Sequence, residues 1–346
     1  MKFNTITIKD IALELGLSKS TVSKALNDSY EISERTKKLV KQHAAERNFE
    51  PNILAQSLKQ GYTKSIGIVV STIDNNFFSQ VIDGIESVSE EKGYNISITQ
   101  THESYETEVR KVKHFSFRAI DGLLISLSSE TNNLQHLKTL KEKGLPIVFF
   151  DRVTNEINTH KVVADNFKGA YEGTQHLIQS GYKRIAHITS ATGLSITKER
   201  LDGYLQALKD HALQPNESYI KYCLHGGKDI KETAATVQEL LSADIRPDAI
   251  LTASDRITTQ TLTLLRQAGI RIPEDIAMIG FTNSKLADVL NPPFSTIVQP
   301  GFEIGKTAIE LLISLIESKK PVTKHQTTIL PTQMHIRASS LPPKEG

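Results

Sequence analysis

The chain has 346 residues, of which 38% are hydrophobic and 23% are charged, and its formal net charge is +2. This length exceeds that of one compact core, and the composition is that of a folded globular protein, which excludes fibrous and disordered classes. No window approaches the roughly 18 apolar residues of a membrane span, and the N-terminus lacks a secretory apolar core, so we expect a cytoplasmic protein. The single cysteine, Cys223, excludes an intrachain disulfide and is expected to be a packed thiol.

Positive charge is concentrated at the start of the chain. Residues 1–62 carry ten Lys and Arg against seven Asp and Glu, so the remainder is close to neutral. A solvated basic helix would produce the same excess, and charge alone therefore favours a nucleic acid partner only weakly.

Three short helices are predicted within residues 1–49. Each begins at a hydroxyl-bearing N-cap, and these caps are Thr7, Ser18 and Ser33. Asp10 completes a capping box for the first helix, and Gly16 ends that helix. The small core that the helices share is predicted from apolar residues at helical spacing, which are Ile8, Ile11, Ala12, Leu15, Val22, Ala25, Leu26, Leu39, Val40 and Ala44.

The second helix, within LSKSTVSKALN (17–27), keeps a polar and basic face. Its outward residues are predicted to be Lys19, Ser20, Ser23, Lys24 and Asn27. Two helices joined by a Gly-containing turn, the second with such a face, are typical of a helix-turn-helix whose second helix enters the major groove.

The next segment, PNILAQSLKQG (51–61), has helix formers between a Pro start and a Gly stop. At about two turns it is too short to be stable alone in water. We therefore expect it to become ordered only on a partner.

Residues 63–346 predict two copies of a β-α-β-α unit. Continuous apolar strands separated by helices indicate parallel sheets covered on both faces. Two such lobes in series leave a cleft at the carboxyl ends of the strands, where open α/β sheets bind ligands. The strands are predicted at 64–70, 95–99, 121–125 and 145–150 in the first copy and at 182–188, 248–252 and 275–281 in the second.

Residues 7–62 resemble the DNA-binding headpiece of the lactose/galactose repressor (LacI/GalR) family. TIKDIALELGLSKSTVSKALN resembles its helix-turn-helix and PNILAQSLKQG its hinge helix. The resemblance continues to LPTQMHIRASS (330–340) near the C-terminus. It implies a small all-α helix-turn-helix headpiece at 1–49, a hinge helix or linker at 50–62, and an α/β, periplasmic-binding-protein-like domain at 63–346. That domain has two parallel-sheet, Rossmann-like lobes and serves effector binding and dimerisation.

The resemblance also implies a set of DNA contacts. Lys19, Ser20 and Lys24 match positions that read base edges. Lys24 replaces an arginine common there, and because lysine lacks two parallel donors, its discrimination of guanine is expected to differ. In the family a hinge leucine, here Leu58, wedges between base pairs in the minor groove; packing on the next domain is the alternative. The other matched positions are Ser18, Thr21, Ser23, Asn27, Ser33, Thr36, Asn52 and Ala55.

Effector contacts follow from the resemblance in the same way. Phe77 and Phe78 match aromatic positions that flank the ligand, and core packing is the alternative for Phe78. Asp151 matches a carboxylate that accepts hydrogen bonds from ligand hydroxyls, and Arg200 matches an arginine that reaches into the cleft. A surface ion pair would also explain either charge.

The second lobe departs from the family pattern at two places. Thr282 stands where many relatives have an aspartate, and an aromatic that often stacks on the ligand is absent around 224–228. Both departures weaken the assignment of a specific sugar. Ser254 and Asp255 match the cleft edge of this lobe.

The function implied is that of a sequence-specific DNA-binding transcriptional regulator, a repressor like most of the family. It is expected to bind a pseudopalindromic operator as a homodimer, without a cofactor, under control of a sugar, polyol or sugar acid. An activator or dual regulator of the same architecture is the alternative, and the choice between induction and corepression stays open. An enzyme is the rival class, but the sequence has no nucleophile elbow, metalloprotease motif or phosphate loop, and no metal-ligand spacing of its histidines. A secreted sugar-binding protein would need a signal peptide rather than a helix-turn-helix.

Overall fold

The computed structural model describes residues 6–49, 62–118 and 120–342. These residues fall into two compact units, one that ends at Thr63 and one that begins at Lys64. The predicted hinge helix, with Asn52, Ala55 and Leu58, lies outside the described residues, so it stays a prediction together with the domain limits drawn around it. Within the described ranges, no helix is long and apolar enough to cross a membrane.

The first unit consists of three helices with the predicted caps. The Thr7 side chain and the Asp10 carboxylate each accept from the other residue's backbone N–H, at 3.4 and 2.9 Å, which confirms the capping box. Ser18 and Ser33 accept N–H groups at 3.0 and 3.3 Å. Gly16 has φ +64°, a left-handed conformation suited to glycine, just after the first helix. The helices are α1 (Ile8–Glu14), α2 (Lys19–Leu26) and α3 (Glu34–Glu46).

The core of the first unit contains most of the predicted apolar residues, including Ile11, Val22 and Val40, which are all fully buried. The prediction for Leu39 was wrong, since this side chain is 51% exposed. Successive residues of a helix point about 100° apart, and α3 turns Val40 and Ala44, four residues apart, towards the other two helices. Leu39 then points away from the small core.

The second unit is built on two six-stranded sheets. The first contains β1 (Ser65–Val70), β2 (Asn95–Gln100), β3 (Gly122–Ile125), β4 (Ile147–Phe150), β5 (Lys161–Ala164) and β11 (Thr327–Leu330) in the order β11-β5-β4-β3-β1-β2. The second contains β6 (Ile185–Thr189), β7 (Ile220–Tyr222), β8 (Ala249–Thr252), β9 (Ala277–Phe281), β10 (Ser295–Val298) and β12 (Gln333–His335) in the order β12-β10-β9-β8-β6-β7. The pairing is parallel as predicted, except that the edge strand β12 runs antiparallel to β10.

Helices and hydrophobic clusters cover both faces of each sheet, as the continuous apolar strands predicted. Cys223 lies fully buried in one of these clusters, which confirms a packed thiol, and burial raises its pKa. The helices are α4 (Asn76–Lys92), α5 (Tyr105–Phe117), α6 (Gln135–Glu142), α7 (Asn166–Gln179), α8 (Ser195–Asp210), α9 (Ile230–Leu241), α10 (Asp255–Gln267) and α11 (Gly301–Ile316).

The two lobes are not in series along the chain, and that part of the prediction was wrong. After β10 the chain returns to the first lobe, where α11 packs on α4 and β11 pairs with β5, and it then enters the second lobe again at β12. Three connections therefore join the lobes, at 164–166, 298–301 and 330–333. The chain returns to the first lobe because β11, which lies more than 160 residues after β5 in the sequence, pairs with the edge of β5.

Helix packing within each lobe involves direct backbone contact. A Cβ atom added at Gly305 of α11 would lie 1.9 Å from the Val81 carbonyl oxygen of α4, and one at Gly84 would lie 2.0 Å from the Phe302 carbonyl oxygen. In the second lobe a Cβ at Gly203 of α8 would lie 2.2 Å from the carbonyl oxygen of a residue in α7. Such close approach makes each helix pair intolerant of any larger residue at these positions.

Candidate functional site

The outer face of α2 carries the residues that the sequence assigned to DNA. Val22 and Ala25 are turned into the core, which leaves positions 19, 20, 23, 24 and 27 on the opposite side of the helix. Ser18, Lys19, Ser20, Asn27 and Ser33 are exposed, whereas Thr21, Ser23, Lys24 and Thr36 are half-buried.

Several of these polar side chains also stabilise the helix ends. The hydroxyls of Ser18 and Thr21 lie 2.9 Å apart, as do those of Ser33 and Thr36. The Asn27 amide donates to the Ser23 carbonyl at 2.7 Å. Their orientations are thus fixed by the headpiece itself, so little conformational freedom remains to be lost when a partner binds.

The two lysines of this face differ in their partners. Lys19 makes no ion pair with any residue that the structure describes. The Lys24 ammonium is hydrogen-bonded to the Glu31 carboxylate, and these two side chains are 44% and 45% exposed. Lys19 thus presents an uncompensated charge, while Lys24 is already engaged within the chain.

In the second unit, a cavity of about 450 Å³ lies between the carboxyl ends of the two sheets, where the sequence predicted a cleft. Its volume is in the range of small-molecule sites. The lining comes from segments that follow β1, β2 and β4 in the first lobe and β7 and β8 in the second. These residues are Ser71, Thr72, Ile73, Asp74, Asn75, Asn76, Phe78, Ser79, Glu103, Arg152, Gly226, Ser254, Asp255, Arg256, Thr259 and Gln260.

The cavity brings together three of the seven predicted effector residues, Phe78, Ser254 and Asp255. Phe77 is not among the lining residues and packs in the core of the first lobe. The rings of Phe77 and Phe78 meet edge to face with centroids 5.2 Å apart, and Phe78 is only 3% exposed. Phe78 therefore belongs both to the core and to the cavity wall.

Asp151, Arg200 and Thr282 lie close to the cavity but are not part of its lining. Asp151 has φ +58°, and its carboxylate accepts from the Ser126 hydroxyl at 3.3 Å. Burial raises the pKa of Asp151. Backbone strain of this kind in a residue other than glycine is typical of positions that a site holds in a special orientation.

Arg200 is 2% exposed, and each of its three side-chain nitrogens donates a hydrogen bond within the protein. Its Nε and Nη2 atoms donate to the Asn166 side-chain oxygen at 2.9 and 2.7 Å, and Nη1 donates to the Ala253 carbonyl. The guanidinium carbon lies 4.0 Å from the centre of the Phe281 ring, and burial lowers the pKa of Arg200 to about 10. Through these hydrogen bonds Arg200 connects two residues. One is Asn166, the first residue of α7 and part of a lobe connection, and the other is Ala253, which follows β8.

Asp255 lines the cavity on the second lobe, opposite Asn75 and Asn76 of the first lobe. Its carboxylate accepts from the Thr282 hydroxyl of its own lobe, and burial raises its pKa. Thr282 therefore contacts the cavity wall through Asp255 and does not face the cavity directly.

Three hydrogen bonds between described residues cross from one lobe to the other. The Asn283 amide donates to the Gln80 side-chain oxygen at 2.6 Å, the Lys228 ammonium donates to the His102 carbonyl at 3.1 Å, and the Val153 N–H donates to the Ser195 hydroxyl at 3.3 Å. Any change in the separation of the lobes must break or replace these contacts.

The sequence did not identify two arginines of the cavity wall. Arg152 pairs with Glu103 at 2.6 Å, and Arg256 lines the cavity beside Asp255. Each arginine directly follows a predicted site residue, Asp151 after β4 and Asp255 at the start of α10, and that adjacency was the available signal.

Comparison with known proteins assigns both units. Residues 7–52 match the lacI family of bacterial regulatory proteins, and residues 174–340 match the periplasmic binding protein-like domain. The HTH-type transcriptional repressor PurR of Vibrio cholerae serotype O1 (strain M66-2) is 32% identical over 314 residues, which are 91% of this chain and 92% of that protein. PurR of Aliivibrio fischeri (strain MJ11) is 33% identical over 317 residues, which are 90% of this chain and 92% of that protein.

Solved structures agree with this assignment. The transcriptional regulator CelR in complex with cellobiose has a TM-score of 0.71 and 27% identity, with 96% of this chain and 99% of that chain covered. The lac repressor dimer bound to operator and an anti-inducer has a TM-score of 0.83 at 23% identity, with 98% and 100% covered, and shares the fold. The chain belongs to the lacI family of bacterial regulatory proteins and is a DNA-binding transcriptional regulator controlled by a small-molecule ligand.

Proposed function

We propose that the protein is a transcriptional repressor that binds a pseudopalindromic operator as a homodimer in the cytoplasm. A sugar, polyol or sugar acid bound between the lobes sets its operator affinity, and the protein needs no cofactor and catalyses no reaction. The observation that carries the proposal is the presence, in one chain, of the outward polar face of α2 and a polar cavity between two lobes.

The DNA-binding half of the proposal is supported by the headpiece. Its capped helices hold Lys19, Ser20 and Lys24 on one exposed face, as recognition in the major groove requires. The PurR relatives are repressors by name, and the lac repressor structure is that of a dimer on its operator. Two headpieces of one dimer would occupy two half-sites.

The effector half is supported by the chemistry of the cavity wall. Hydroxyl, amide and carboxylate groups surround the cavity, and Phe78 supplies one apolar surface. Ligands rich in hydroxyl groups match such a mixture of donors and acceptors. The similarity to a regulator solved with cellobiose favours the same chemical class.

Coupling between the two sites is supported by the contacts that cross the cavity. The hydrogen bonds of Asn283 with Gln80 and of Lys228 with His102 belong to one relative position of the lobes. A ligand that binds two lobe positions unequally shifts their populations, and only such a ligand changes operator affinity.

The test is the affinity of the full chain for an operator obtained by in vitro selection, measured at fixed salt with and without each compound of a sugar and sugar-acid panel. At least one compound should change the operator Kd by about 5- to 150-fold and should be recovered chemically unchanged. Asn283→Ala should alter this ratio while unliganded operator binding persists. Chemical turnover of the compound, or an unchanged operator Kd with a compound demonstrably bound, would refute the proposal.

A further inference from the structure

A smaller cavity of about 50 Å³ adjoins the main one and shares Ser71, Thr72, Glu103 and Arg256 with it. Its remaining lining residues are His102 and Lys228, on either side of the cleft. The hydroxyls of Ser71 and Thr72 and the cations of Arg256 and Lys228 therefore lie at one end of the main cavity.

Among the described residues, neither cation at this end of the cavity makes a direct ion pair. Arg256 makes no ion pair with any residue in the described parts of the chain, and the contact of Lys228 is to an uncharged carbonyl oxygen. Glu103, the carboxylate here, already accepts from Arg152 at 2.6 Å and from the Ser129 N–H at 2.8 Å. Burial opposes its ionisation, but the Arg152 guanidinium outweighs burial and lowers the pKa of Glu103.

The other acids of the main cavity do not neutralise these cations by contact. The Asp255 carboxylate accepts from the Thr282 hydroxyl, and Asp74 is exposed to solvent.

We propose that the effector carries an anionic group, a phosphate or a carboxylate, and that Arg256 and Lys228 bind it together with the Ser71 and Thr72 hydroxyls. This inference rests on the proposed function and narrows its ligand class. A guanidinium binds such groups through two parallel donors, and an ammonium adds a point charge. The remaining polar wall around Phe78 and Asp255 then contacts the hydroxyl-bearing part of the ligand.

The first test uses inorganic phosphate as the probe and the full chain as the protein. The midpoint of thermal unfolding is followed against phosphate concentration, with chloride exchanged for phosphate so that ionic strength stays constant. Stabilisation should follow the binding isotherm of a native-state ligand. Arg256→Gln should weaken phosphate binding by about tenfold or more, and Arg256→Lys should retain most of it.

Matched controls remove the same charge outside the cavity. Arg246 and Lys231 are exposed residues of the same lobe, and the variants Arg246→Gln and Lys231→Gln should leave phosphate binding unchanged. Lys228→Gln should weaken it, in contrast to its neighbour Lys231→Gln. Absence of phosphate-dependent stabilisation in the wild type, or equal loss in Arg256→Gln and Arg246→Gln, would overturn the proposal.

The second test identifies the anion with glucose, gluconate and glucose 6-phosphate at equal concentration. Binding of gluconate or glucose 6-phosphate that is lost in Arg256→Gln supports a carboxylate or a phosphate subsite, respectively. If glucose binds as tightly as both anions and changes operator affinity, the anionic subsite fails while the proposed function holds. If an anion binds through Arg256 and no bound ligand alters operator affinity, the proposed function fails while the subsite holds.

Discussion

Replacement of Glu31 by Gln is predicted to strengthen operator binding, because it releases the Lys24 ammonium. In the free chain this ammonium is hydrogen-bonded to Glu31, and that contact must be broken before Lys24 can reach a base. Both side chains are nearly half exposed, at 44% and 45%, so the pair contributes about 0.2–1 kcal/mol in each headpiece. For two headpieces on one operator the gain is about 0.4–2 kcal/mol, or about 2- to 30-fold in affinity.

Fluorescence anisotropy of a labelled operator at fixed salt measures this gain. A double-mutant cycle with Lys24→Gln separates the release of Lys24 from the general effect of removing a negative charge near DNA. Glu34→Gln is the matched control, because Glu34 pairs with Lys37 at 2.7 Å on the same unit. The reasoning is refuted if Glu31→Gln has the same effect with and without Lys24, or no larger an effect than Glu34→Gln.

Three further predictions concern stability and base selection. Burial lowers the pKa of His187 from 6.5 to about 4, so proton uptake by the unfolded chain should reduce stability as pH falls through this range. Denaturant unfolding should show that the free energy of unfolding falls by at most about 3 kcal/mol over this pH range, and His187→Phe should remove this fall. Parallel pH profiles of stability in the wild type and in His187→Phe would contradict this prediction. Gly305→Ala, which places a Cβ 1.9 Å from the Val81 carbonyl oxygen, should cost about 1–3 kcal/mol or more of unfolding free energy, whereas Gly193→Ala, with no atom within 4 Å, should match the wild type. Lys24→Arg should change the bases recovered by operator selection, and an unchanged selection would show that Lys24 reads no base.

Local signals in the sequence predicted the headpiece well. The three caps and the turn at Gly16 depend on neighbours within four residues, so one stretch of sequence contains both partners of each hydrogen bond. Leu39 was misplaced because the direction of a helix face depends on which helices pack against it. The spacing of apolar residues fixes the direction of the buried face only to within one neighbouring residue of the helix.

In the second unit, strand pairing between distant parts of the sequence could not be predicted. Seven of the twelve strands were found from their apolar runs, whereas β5, β7, β10, β11 and β12 were missed. The return of the chain to the first lobe depends on the pairing of Thr327–Leu330 with Lys161–Ala164, which no local pattern contains. The resemblance implied that Arg200 contacts the ligand, and that contact stays a prediction; in the structure its three nitrogens donate to Asn166 and to the Ala253 carbonyl. Arg256 was missed because its lack of an ionic partner is visible only in three dimensions.

Control of operator affinity by the cleft is tested by isothermal titration calorimetry on the full chain at constant salt. Operator is titrated with and without saturating effector, and effector is titrated with and without operator. The expected result is a change of at least about fivefold in operator Kd, together with an equal change in effector Kd, because coupling between two binding sites is reciprocal. Unchanged operator and effector Kd values in the two titrations would contradict control of operator affinity by the cleft.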